Sequence, residues 1–244
     1  MSRTTAGSRT TAGTRTTVSG WPSLANCVGW WRCTDADFGR TTLTNEIAGG
    51  ASFALTSPSW KFYGGRNCLL FPGEANATVY GTLTISASDL LDLSSATSLT
   101  KLILVRSLGN GGNNNGRVFS LPSNDFIVKT NDTNNNMPLA VGGTNTNFSY
   151  TSISYTSGFQ SIAEVYNGSA GSRQLVVNGV NVGTPSSGVS ATLNASLTGT
   201  ARLGAQNTGS QPSGFNGYIA EVAIFKNRIL TPAECNNFFF GRRP

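Results

Sequence analysis

The 244-residue sequence predicts an all-β protein: a sandwich of two antiparallel sheets, preceded by an extended arm and carrying one short C-terminal helix. Three observations lead there. Charged residues make up only 11% of the chain, against roughly 25% in an average soluble domain, and Gly, Ser, Thr and Asn fill the gap. Short apolar alternations recur between turn clusters, the pattern of many short strands. A single stretch, LTPAECNNFF (230–239), carries helix signals: Thr231 as N-cap, Pro232 at the first helical position and Glu234 completing a capping box.

Taken in order, the chain opens with an arm over residues 1–20. SRTTAG occurs twice within residues 2–13, and TRTTVSG follows as a looser third copy. Six is a multiple of both two and three. In a strand or a polyproline-type extension, Arg3, Arg9 and Arg15 therefore all point the same way. The sandwich spans 21–240 and a basic tail, with Arg242 and Arg243, occupies 241–244.

VGWWRC reads as the first strand, which sends the side chains of Trp30 and Trp31 to opposite faces. LTKLILVRSL (99–108), RVFSL (117–121) and FIVKT (126–130) are further strands. GNGGNNNG (109–116) and NDTNNNMP (131–138) separate them as turns. QSIAEVYNG (160–168) and RQLVVNGVNVGT (173–184) form a hairpin pair, the second containing Asn178-Gly179, a strong hairpin-turn signal. TARLGAQ (200–206) and GYIAEVAIFK (217–226) complete the set, and an apolar inner face with a Ser/Thr outer face is the arrangement anticipated for such sheets.

The net charge is +6. The five arginines of the two ends leave the body with twelve basic against eleven acidic side chains, a net +1, so no basic groove is expected across the fold. No apolar run approaches membrane-spanning length, and no hydrophobic stretch follows the first arginine as in a secretory signal. Cys27, Cys33, Cys68 and Cys235 lack zinc-ligand spacing, and the chain has no histidine. Buried free thiols are the leading expectation for them, with disulfides as the alternative. Without histidine, Ser-His-Asp and Cys-His catalytic units are excluded. No E-x-D-x-E run, which would set carboxylates along one strand face to flank a glycosidic bond, occurs in the sequence. A non-enzymatic role is therefore expected.

VYNG (165–168), LVVNGVNVG (175–183), RLGA (202–205) and FNGYIAEVAIFKNRILTPAE (215–234), with VGWWRCTD (28–35) and CLLFPG (68–73) in front, resemble the laminin-G-like, concanavalin A-like jelly roll. The resemblance covers about residues 21–240. It implies a two-sheet antiparallel jelly-roll sandwich, one sheet curved, with rim loops that often carry a calcium or glycan site. Three positions where the family usually has an acid have lost it: Pro72-Gly73 stands for Asp-Gly, Asn167 replaces an Asp, and Ala220 replaces another beside Glu221. No resident cofactor is expected; Asp35 and Asp37 are the acidic pair left for a calcium ion, which prefers several oxygen ligands including carboxylates.

Three functional expectations follow. The leading one is a structural subunit of a bacteriophage particle, a decoration, cement or tail-surface protein assembled in the host cytoplasm. Arg3, Arg9, Arg15, Arg242 and Arg243 would anchor it to other virion proteins and to copies of itself by charge-assisted hydrogen bonds. The alternative is a carbohydrate-binding, lectin-like module or adhesin for cell-surface glycans, with Trp30, Trp31, Trp60, Asn113, Asn114 and Asn135 as the contact candidates. A capsid protein with a genome-facing arm comes third, because three arginines in twenty residues are sparse for nucleic acid.

Overall fold

The computed structural model describes residues 22–94, 96–109, 111–112, 116–122, 125–126, 135–141, 144–150, 158–187, 193, 198–205 and 214–240. Arg3, Arg9, Arg15, Arg242, Arg243, Asn113 and Asn114 lie outside the described residues. The strands are β1 (Cys27–Arg32), β2 (Thr42–Leu43), β3 (Phe53–Thr56), β4 (Trp60–Tyr63), β5 (Arg66–Pro72), β6 (Tyr80–Ile85), β7 (Ser98–Ser107) and β8 (Phe119–Ser120). They continue as β9 (Asp125–Phe126), β10 (Asn135–Val141), β11 (Thr144–Tyr150), β12 (Gln160–Asn167), β13 (Ser172–Val177), β14 (Val180–Ser187), β15 (Gly199–Leu203) and β16 (Asn216–Lys226). One helix follows, α1 (Pro232–Phe240).

The strands form two main antiparallel sheets. The larger runs β14-β13-β12-β7-β16-β5-β4, with β1 as an eighth strand on β16. The smaller runs β2-β3-β6-β15-β8-β9, and β10 pairs with β11 as a separate ribbon. Asn178 and Gly179 join β13 to β14 with φ of 49° and 78°, as the type I′ turn of an Asn-Gly hairpin requires. A Cβ on Gly179 would sit 2.9 Å from that of Asn236, so the hairpin tip also packs against α1. The capping box forms as the sequence predicts: the Thr231 N–H donates to Glu234 Oε2 (2.9 Å), and the Glu234 N–H donates to Thr231 Oγ1 (3.2 Å).

Residues 135–138 depart from expectation. They belong to β10, paired residue for residue with β11 from Asn135↔Tyr150 to Val141↔Thr144, rather than to a turn. A continuous backbone ladder satisfies main-chain polar groups whatever the side chains, so asparagine content misreads this segment.

The core is double. Between the sheets, Trp31 is enclosed by the Phe53 and Phe119 rings at 5.0 and 6.4 Å, among residues such as Phe71, Ile103, Leu203 and Val222. On the outer face of the large sheet, where a Ser/Thr surface was anticipated, Leu102, Leu104, Ala163, Val176 and Phe225 form a second core beneath Cys235, Phe238 and Phe239 of α1. The continuous run LILV in β7 is the sequence mark of a strand buried on both faces. Strand alternation puts Lys101, Glu164 and Arg173 on the inner face. There Glu164 is bridged by Lys101 at 3.0 Å and by Arg173 at 3.3 Å, all three being buried. The four cysteines are free thiols. Among the described residues no helix is long and apolar enough to cross a membrane.

Candidate functional site

β16 pairs with β7 along one edge and divides its other edge between two strands. β5 runs beside Asn216–Ile219, and β1 beside Glu221–Phe225. The β16–β7 register shifts between Ile219 and Glu221, a bulge of the kind that re-aims a side chain and increases local twist. At this point the Cys33 N–H, just past β1, donates to the Ala220 carbonyl (2.9 Å). Where β1 and β5 part, a cleft of about 630 Å³ opens, within the usual range for a small-ligand site.

Four segments line it. The end of β1 and the turn after it supply Arg32, Cys33, Thr34 and Asp35; the β4–β5 hairpin supplies Phe62, Gly65, Arg66 and Asn67. Ala220 and Glu221 lie at the bulge, and Phe239 and Phe240 come from the end of α1. The hairpin turns tightly because Gly64 and Gly65 adopt φ of 58° and 76°, which places Phe62 and Asn67 opposite each other.

Glu221 is 4% exposed, and its Oε1 accepts the Trp30 indole N–H at 2.6 Å. The Arg32 guanidinium lies 5.0 Å from the Trp30 ring centroid and donates to both Glu46 carboxylate oxygens (3.1 and 3.4 Å). The Asn67 amide donates to Asp35 Oδ1 (2.7 Å). Arg66 donates to the Phe239 carbonyl (3.0 Å), one of the helix-end acceptors that lack an intrahelical partner, and its guanidinium lies 5.5 Å from the Phe240 centroid. Phe62 is 71% and Phe240 45% exposed, so two phenyl faces stand open to water. Burial, reinforced by the neighbouring Cys68 thiol, pushes Cys33 well above the ordinary thiol range. Burial pushes Cys68 up to about 11. Both thiols therefore stay protonated near neutral pH and supply no thiolate nucleophile. Carboxylate, amide and guanidinium groups between open phenyl faces can hydrogen-bond a polyhydroxylated ligand and stack on its apolar side.

Sequence reasoning reached this cleft in part. Asp35 lines it, and Trp30 supports it through Glu221. Trp30 and Trp31 do face opposite sides, but both are buried, Trp31 at 0% exposure. The two cores seal them, which removes both as stacking surfaces and corrects their assignment as glycan contacts. Trp60 is half-buried, packs 5.7 Å from Phe38 and donates its indole N–H to the Arg40 carbonyl (2.8 Å), outside the cleft lining. Asn135 begins β10. Asp35 and Asp37 serve different partners: Asp37 is buried and accepts the Thr34 and Thr44 hydroxyls (3.2 and 2.7 Å). Among the described residues no group of three His, Cys, Asp or Glu is placed to hold a metal ion. Phe62, Arg66, Asn67 and Phe240 were missed. The exposed aromatic in WKFYGGRN, beside a Gly-Gly turn, is the signal that could have found the first three.

Known structures share this architecture. The binding domain of botulinum neurotoxin serotype G superimposes with a TM-score of 0.63 at 15% identity, over 88% of this chain and 51% of that one. Domain 4 of AbnA, an extracellular GH43 arabinanase from Geobacillus stearothermophilus solved with arabinotriose, gives 0.63 at 13% identity, over 87% of this chain and 98% of that domain. Trypanosoma rangeli sialidase, solved with sialic acid, gives 0.60 at 11% identity, over 89% of this chain and 33% of that one. The chain thus spans about half the length of the toxin binding domain it matches. A search of curated proteins finds no significant match. The family model described as the concanavalin A-like lectin/glucanases superfamily matches residues 76–236. With the two-sheet sandwich and its C-terminal helix in view, the chain belongs to that superfamily.

Proposed function

We propose that this protein is a carbohydrate-binding module that holds its glycan in the cleft at the β1/β5 fork. The observation carrying this reading is the cleft itself: about 630 Å³, with a polar floor, between the exposed phenyl faces of Phe62 and Phe240. In this reading Phe62 and Phe240 stack on sugar faces, while Glu221, Asp35 and Asn67 take the hydroxyl hydrogen bonds. Superfamily membership supports it, as does the match over nearly the whole of an arabinanase domain that was solved with arabinotriose. The role is binding rather than hydrolysis. Glu221 is engaged by Trp30 and Asp35 by Asn67, an arrangement suited to orienting hydroxyls more than to transferring protons. The virion-subunit expectation rested on the arm and tail, which lie outside the described residues, and the fold and family favour the glycan reading over it.

The test is a panel of neutral and acidic oligosaccharides titrated calorimetrically into the full chain, with Phe62→Ala and Glu221→Gln alongside. We expect at least one ligand to bind, each variant to weaken it roughly tenfold or more, and Phe62→Ala to melt as the parent does, since its ring is mostly exposed. Absence of binding, or binding that ignores both substitutions, would overturn the site. Release of new reducing ends would overturn the non-hydrolytic role.

A further inference from the structure

Beyond the cleft, the outer face of the large sheet continues across β4, β5, β16 and β7 into a surface of different chemistry. The registers Lys61↔Cys68 and Tyr63↔Arg66, then Leu70↔Tyr218 and Tyr218↔Arg106, put Lys61, Tyr63, Arg66, Tyr218 and Arg106 on one face. Tyr63 and Tyr218 stack with centroids 5.0 Å apart and planes within 6°. The Arg106 guanidinium lies 4.3 Å from the Tyr63 centroid and 5.9 Å from that of Tyr218. Arg66 faces Tyr63 across the ladder and also lines the cleft, so the two surfaces are continuous.

Several cations elsewhere in the chain are held by carboxylates. Arg32 is paired with Glu46, Arg228 with Glu234, and the buried Lys101 and Arg173 with Glu164. Among the described residues Lys61, Arg66 and Arg106 have no carboxylate within ion-pair distance. Arg106 is oriented by tyrosine faces and Arg66 by Phe240 and a helix-end carbonyl. Ring quadrupoles fix a cation in place without neutralising it. Three positive groups set around a stacked tyrosine pair form a receptor for a planar or tetrahedral anion carried on a sugar, because arginine forks match carboxylate and sulfate oxygens in pairs.

We infer that the glycan is anionic, and that its acidic group is received by Arg66 and Arg106, with Lys61 at the rim, while the adjoining sugar occupies the cleft. This rests on the carbohydrate-binding reading. A carboxylated or a sulfated sugar would satisfy the same chemistry.

The experiment titrates the full chain with three oligosaccharides of equal length, an oligogalacturonate, a heparin-derived fragment and a neutral arabino-oligosaccharide, each at about 50 and 300 mM salt. The expected result is at least tenfold tighter binding of one anionic ligand than of the neutral one, with the advantage shrinking at high salt. Lys61→Gln, an exposed position, should cost severalfold for the anionic ligand alone. Arg66→Lys should abolish most of the preference, because a point charge cannot replace the fork. Whichever of carboxylate and sulfate binds more tightly identifies the acid. Equal affinity for neutral and anionic sugars, unchanged in Lys61→Gln, would overturn the inference and leave the glycan reading standing. A DNA oligonucleotide bound as tightly as the sugars would overturn it too, by showing that charge alone is read. Binding of no sugar at all would overturn the carbohydrate reading itself.

Discussion

The two faces of the eight-stranded sheet follow one alternation rule and reach opposite ends. On the inner face a large apolar core fills the space between the sheets, and the buried cations Lys101 and Arg173 share the carboxylate of Glu164. On the outer face the nine-residue helix α1 is too short to cover the sheet. It seals Leu102, Ala163 and Phe225, then stops at Phe239 and Phe240, leaving the β4–β5 end open. Buried charges must be paired or they are prohibitive; at an open edge, water lets cations stand without a carboxylate and phenyl rings stay exposed. The difference between scaffold and receptor in this chain is therefore one of coverage, and the end of a helix draws the line.

The strongest way to break the comparison is on the inner face. Glu164→Ala leaves Lys101 and Arg173 buried without their shared carboxylate and should destabilise the fold by about 3–5 kcal/mol. For a chain of this size that is a fall in melting temperature of roughly 6–20 °C. A fall under about 2 °C, measured by calorimetry, would mean the inner face is less closed than described.

A smaller effect sharpens the outer face. Burial under and beside α1 pushes Cys27 and Cys235 up to about 12, from an ordinary value of 9.0. The sign is that of an acid whose folded pKa is raised. The stabilising contribution is complete below pH 9 and is lost progressively as pH climbs from 9 towards 12, because only the unfolded chain readily forms thiolate. Melting temperature should thus decline above pH 9. The Cys27→Ala/Cys235→Ala double variant should decline less steeply, and identical slopes would contradict the burial of these thiols.

How much of this was legible beforehand depends on sequence distance. The Asn178-Gly179 hairpin, the Thr231–Glu234 capping box and the opposed tryptophans are local patterns, and each forms as predicted. The outer core was half legible: LILV in β7 marks two-sided burial, but the cover supplied by α1 lies more than a hundred residues away. The cleft was the least legible. Its walls come from residues 32–35, 62–67, 220–221 and 239–240, brought together only because β16 changes partner from β5 to β1. No window of sequence contains that event. Composition also misled, since the asparagines of 135–138 sit in a ladder, and Trp30 and Trp31, obvious sugar platforms, were needed to fill the cores.

The central claim is that the fork between β1 and β5 is where the ligand sits. The most direct measurement is an amide chemical-shift map of the isotope-labelled chain as the best oligosaccharide from the panel is added. The account predicts saturable shifts at Cys33, Asp35, Gly65, Asn67 and Glu221, with β2, β3 and β6 unmoved. Shifts confined to the smaller sheet would contradict it.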